Sequence, residues 1–304
     1  MPIVEKTTNT VTLNTLISGG YIETLDKYLK KADSCDATVV VMKTSTDYDY
    51  VPHLNCGEDY ISIELYKKVL EDNALVSTGI GLYNINGEKV FRGEVKNNFI
   101  LLNNNYWRIV RVDKDNNLVL ISHFKSDVYP WDNRYNQDIN TNDGINDYNI
   151  SRIKEKIESN FYNENLLSDS DKNKLVYSKA CIGMRKYDDP VNIEGIECSE
   201  YTEEEVPIRL LTVGEYLLAS IDPNCTTLQS KSCINYNYMN DLKSSFWTIT
   251  KSQKNSAYVY NITTNGVSES RANSVKQVRY VISLGEKAFY LSGSGTYNDP
   301  YKIK

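Results

Sequence analysis

Histidine is nearly absent from this 304-residue chain, which has only His53 and His123, neither set in a nucleophile elbow or beside a cysteine cluster. A Ser-His-Asp or Cys-His nucleophile needs a positioned imidazole as its base, so those constellations find no footing. There is no C-x-x-C pair, which removes the usual zinc spacing. No glycine-rich phosphate loop occurs either, because SGSGTY near the C-terminal end has no helical pattern after it. Apolar runs stay well short of the roughly 18 residues that span a bilayer. The N-terminus lacks the charged, apolar and small-residue zones of a signal peptide. A basic excess is missing too: 34 Lys and Arg face 40 Asp and Glu, a net charge of −6. With no Lys/Arg stripe to neutralise phosphates, a nucleic-acid partner is not expected. Internal repeats, heptads and low-complexity segments are also lacking.

The hydrophobic share is 40%, enough for a real core in one large or two ordinary domains. Six cysteines fall as near neighbours: Cys35 with Cys56, Cys181 with Cys198, and Cys225 with Cys233. Six cysteines allow fifteen connectivities and spacing alone does not choose among them, but local pairing is the cheapest arrangement. Disulfides are favoured over thiols or metal and imply an oxidising compartment. Residues 1 to 304 are accordingly read as an exported segment whose export signal lies upstream, with a membrane reached only through that missing N-terminal segment.

Early in the chain, TVTLNTLISGGY predicts a short helix capped by Thr12 and stopped at Gly19-Gly20. A linker-like KKADSCD, a buried-type strand ATVVVMK, a turn TSTDYD and a strand YVPHLNCG weakened by Pro52 follow. A Cys35–Cys56 bridge would staple that hairpin and contribute roughly 3 kcal/mol by the chain-entropy model. The segment ISIELYKKVLEDN predicts a helix with Ile61, Leu65, Val69 and Leu70 on one side. NISRIKEKIESNFY predicts another through Ile150, Ile153, Ile157 and Phe161, capped by Asn149 or Ser151. Between them, NNNYWRIVRVDKDNNLVLIS alternates around an Asn-rich break and predicts a β-hairpin. On such a strand neighbours point to opposite faces, which makes Trp107 core and Arg108 a surface or inter-strand ion pair. Arg279, in VRYVISL, is read as structural in the same way.

The ordered phrases FRGEVKNNFILLNNNYWRIVRV, LVLIS, ISRIKEKIESNFYNENL, IRLLTVGEYL, FWTIT, VRYVISL and GSGTYNDPYKI, over about residues 85 to 304, resemble a domain widespread in surface proteins of Gram-positive Firmicutes. That domain is similar to the C-type-lectin-like superfamily; Tyr280 stands where the family usually has proline. The first sixty residues resemble the globular part of Gram-positive type IV pilins and pseudopilins. The resemblance implies an α+β chain. Residues 1-60 form a small pilin-like α+β stem, and residues 61-304 a larger C-type-lectin-like mixed α/β domain with an antiparallel sheet and two main helices. It implies a non-enzymatic protein of the cell surface or pilus, with other pilus subunits as partners.

Binding is expected in the aperiodic loop DVYPWDNRYNQDINTNDGINDYN, where Tyr129, Trp131 and Tyr135 lie among polar residues. Such rings bury area against a glycan or a host or cell-surface protein while their polar edges stay wet. No cofactor is expected. Calcium is the minor alternative, because Asp138, Asn140 and Asn142 alternate as in an EF-hand, but Gly144 comes one residue late and the bidentate glutamate is missing. The formylglycine-generating enzymes of the same superfamily need a reactive cysteine pair, which a structural Cys225–Cys233 bridge would remove. The expected function is an adhesin or minor pilin. The alternatives are a structural pilus or secretion-system subunit without external ligand and, third, an exported enzyme.

Overall fold

The computed structural model describes residues 8–29, 35–43, 48–56, 61–124, 126–163, 166–191 and 196–304. The chain divides into two compact units, Met1–Leu65 and Tyr66–Lys304. The linker at 30–34 and most of the turn read from TSTDYD lie outside the described residues.

In the first unit three antiparallel strands, Thr8–Thr12, Asp36–Lys43 and Tyr48–Asn55, form a sheet with Asp36–Lys43 in the middle. Val40 faces Val51 across the central pair, and Val41 and Val51 are buried. Pro52 belongs to an edge strand, where a residue without an N–H costs no ladder bond. Cys35 and Cys56 flank the terminal pair Asp36 and Asn55 and are joined by a disulfide. The helix Leu13–Ser18 starts where the sequence places it, with the Thr12 hydroxyl accepting from the Thr15 amide, but it buries none of its residues. A sheet with one short surface helix replaces the expected α+β pilin stem.

The second unit is also built from hairpins. Its larger sheet runs Arg209–Leu210, Tyr280–Leu284, Leu118–Ser122, Asn105–Val112, Glu88–Arg92 and Gly81–Ile85, with Phe99–Leu102 on the first half of Asn105–Val112. Every pairing in it is antiparallel. A five-stranded sheet runs Gly266–Arg271, Tyr258–Thr263, Phe246–Lys251, Val275–Gln277 and Val128–Pro130. Leu118–Ser122 is buried at every position, which fits the unalternating apolar run of its first four residues. Asn86 and Gly87 both have positive φ, as do Asn103 and Asn104. Such pairs make the two-residue turns whose twist matches antiparallel strands.

These turns overturn the expected fold class. Strand accounts for 39% of the chain and helix for 18%, so the protein is mostly antiparallel β rather than a pilin-like α+β unit followed by a two-helix domain. The helical periodicities are real but brief: the first yields only Leu65–Asp72, and the second Arg152–Asn163. In the latter Ile153, Ile157 and Phe161 are buried along one stripe, whereas Ile150 falls in a preceding 3-10 turn and is exposed. The Ser151 hydroxyl accepts from the Lys154 amide, satisfying one end group. Elsewhere apolar residues come in short runs closed by Asn and Gly, and only strands fit that length. Among the described residues no helix is long and apolar enough to cross a membrane.

Candidate functional site

Trp107 is fully buried, as its alternation predicts, but Arg108 is buried as well. Its guanidinium donates to the Asn98 side chain and the Val95 carbonyl, pairs with Asp241, and stacks 4.2 Å from the Phe99 ring centroid. The ion pair exists, but it is enclosed rather than superficial. Arg279 is also buried and donates to the Ser122 and Met239 carbonyls at 2.9 and 3.0 Å. Burial lowers the pKa of both arginines, that of Arg279 to about 10; Asp241 opposes the shift, and Arg108 adds to it at Arg279. His123 lies 3.6 Å from Asp241 and edge-on to Phe99. Burial pushes its pKa down to about 4; Asp241 acts the other way and the two arginines add to the fall. The cluster joins the hairpin to the Asn240–Asp241 turn and holds its imidazole neutral at ordinary pH.

The aromatic loop does not present its three rings together. Trp131 is 0% exposed and donates from Nε1 to the Thr248 carbonyl at 3.1 Å, which corrects its reading as a ligand contact. The loop is packed because Asp132, also buried, accepts from the Arg134 guanidinium and amide and from the Arg152 amide. Tyr135 is half exposed, its hydroxyl bonded to the Asn140 side chain. Tyr129 stays at the surface in a shallow groove with Arg152, Glu155 and Lys156, the last lying 4.9 Å from its ring centroid. Asn140 adopts positive φ, and the Asp138 amide bonds to the Asn136 side chain. Among the described residues no group of three or more His, Cys, Asp or Glu side chains is placed to hold a metal.

A second groove, of about 610 Å³, is lined by Glu94, Asp222, Asn235, Tyr236, Lys243 and Ser244, together with the end of the hairpin at Thr263 and Thr264. The segment that walls it is cross-linked by Cys225–Cys233. The same segment is fastened from below. The Ser220 hydroxyl donates to the Asn235 carbonyl, the Asn237 amide group donates to the Tyr216 and Cys233 carbonyls, and Arg92 donates to the Leu218 and Ser220 carbonyls. Asp222 accepts from the Asn235 side chain at 2.7 Å and from the Asn224 amide at 2.8 Å, and these bonds hold its carboxyl below the usual range. Tyr236 and Lys243 both have left-handed φ, 47° and 45°. No periodicity or motif points to this site, because its residues come from three separated stretches of sequence. The local signal is the pair Cys225 and Cys233 in the segment that walls it.

Among the described residues the disulfides are Cys35–Cys56 and Cys225–Cys233. The expected third, Cys181 with Cys198, is not among them. Cys198 instead shares a hydrogen bond with the Tyr201 hydroxyl, and Tyr201 is the strand partner of Cys181. No protein-family model matches this chain, and neither a curated protein nor a solved structure does.

Proposed function

We propose that this chain is a non-enzymatic extracellular surface protein, acting as an adhesin or minor pilin, whose β-rich second unit presents a binding face. The observation that carries this reading is the segment cross-linked by Cys225–Cys233, which walls a surface groove and is fastened by the Ser220 hydroxyl and the Asn237 side chain. A disulfide in such a place belongs to an oxidising compartment. A wall ordered beforehand spares a ligand the cost of ordering it. The test is adhesion of beads coated with the full chain to surfaces of the producing cells and of other cells. Retention above that of beads coated with an unrelated protein of similar charge supports the reading, and equal retention overturns it.

A second reading, a filament subunit without an external ligand, is favoured by the first unit. There Tyr21, Ile22 and Tyr28 are 78%, 41% and 70% exposed within one short stretch. Exposed apolar residues concentrated in this way suit packing against other subunits. Under this reading the chain co-purifies with sheared surface filaments while the coated beads fail to adhere.

A further inference from the structure

We infer that the Thr8–Thr12 edge of the first unit pairs with the same edge of a second copy of this chain, fusing two three-stranded sheets into one across a two-fold axis. The inference goes beyond the surface-binding reading and needs no external ligand. Thr8–Thr12 makes five consecutive antiparallel pairs with Asp36–Lys43 and has no register shift. A strand paired on one side directs the N–H and C=O groups of alternate residues there and turns the others outward. Among the described residues no strand lies along that outward side. Asn9, Thr10 and Thr12 are exposed, and the sequence TNTVT has none of the devices that blunt an edge: no charge, no proline and no bulge.

The opposite edge of the same sheet is closed. Pro52 has no N–H to offer, the Leu54 amide donates to the Ser62 hydroxyl at 3.2 Å, the Leu54 carbonyl accepts from the Ser62 amide at 2.8 Å, and Asn55 bridges to Ile61. With one edge blocked and one open, joining open edge to open edge makes a closed pair of copies, and growth stops there. The strand's own chemistry selects the occupant. With Thr10 on the two-fold axis, Thr10 meets its copy and Asn9 meets Val11, so no like charges oppose one another. A threonine pair, favourable across antiparallel strands, then sits at the centre. The unit is also poor in core. From residue 8 to residue 56 the buried residues among those described are Val41, Val51 and Cys56, and the helix Leu13–Ser18, which leaves the strand at Thr12, buries none of its residues. So small a unit hides too little of its surface to be more than marginal, and a second sheet beside the first adds what it lacks.

The experiment measures the mass of the full chain by sedimentation over a wide concentration range, for the parent, for Thr10→Lys, for Thr10→Glu and for an equimolar mixture of the two variants. The parent is expected to double in mass as concentration rises. Each variant alone stays monomeric, because the two-fold axis sets like charges directly opposite one another. The mixture dimerises again, because opposite charges then meet at the axis. Recovery in the mixture separates a lost contact from a lost fold. A parent that is monomeric throughout, a dimer that survives both substitutions, a mixture that stays monomeric, or assembly that continues past the dimer overturns the inference.

Discussion

Arg209 grips Glu215 with both terminal nitrogens, Nη1 at 2.8 Å from Oε2 and Nη2 at 2.6 Å from Oε1. Arg111 pairs with the same carboxylate, and the Thr212 amide donates to Oε2 at 2.9 Å, closing a capping box on the helix Val213–Leu218. One acidic side chain thus ties strand, strand and helix together. Burial alone would raise its pKa, but the two guanidinium groups outweigh burial and hold it far below its ordinary 4.5.

Glu215→Gln leaves two enclosed cations short of their shared counter-charge, with Glu88, 3.2 Å from Arg111, as a remaining partner. Breaking a buried pair from one side costs about 3–5 kcal/mol, read from urea unfolding at pH 7. Because the folded pKa is depressed, the carboxylate's contribution is complete above about pH 4.5 and is lost as pH falls further. The variant's stability is therefore less sensitive to acid below that point than the parent's.

His123 acts at milder pH and in the same direction. Its folded pKa is lowered from 6.5 to about 4, so on acidification the unfolded chain takes up the proton first. Stability falls between pH 6.5 and 4, by at most about 1.4 kcal/mol per pH unit. His123→Leu removes that proton and flattens the melting temperature across pH 6.5 to 4.5, above the range where Glu215 titrates. An unchanged slope in the variant would assign the acid sensitivity to other groups.

Trp131→Ala removes a fully enclosed ring and leaves the Thr248 carbonyl without its indole donor. The expected cost is roughly 3–5 kcal/mol, seen as an early denaturation midpoint. Tyr129→Ala, at a groove surface, leaves the midpoint within about 0.5 kcal/mol of the parent.

The Cys225–Cys233 bridge spans 8 positions in sequence. The chain-entropy relation gives about 2–3 kcal/mol for so short a loop. The double replacement Cys225→Ser with Cys233→Ser lowers stability by about that amount, and it lowers bead adhesion more than Trp131→Ala does, although Trp131→Ala costs at least as much stability. Peptide mapping without reduction is expected to recover Cys35 linked to Cys56 and Cys225 linked to Cys233.

Local features of this protein were decided by sequence alone because their causes are local. Thr12 caps its helix, Ser151 caps another, and Asn86-Gly87 and Asn103-Asn104 turn their hairpins through interactions within a few residues. Trp107 reads as core because so large an apolar ring on a sheet strand is rarely left in water, although its strand is buried at the four consecutive positions 107–110 and not at alternate ones. Tertiary structure decided the rest, since the deciding contacts join distant residues. Arg108 is buried where Asp241, 133 positions later, meets it, and the buried Trp131 gives its N–H to the carbonyl of Thr248, 117 positions later. An arginine or an aromatic loop reads as surface until its partner is known, for burial of either depends on that partner. The groove is the extreme case: Glu94, Asp222, Tyr236 and Thr264 share no period or motif, and only the folded chain brings them to one groove.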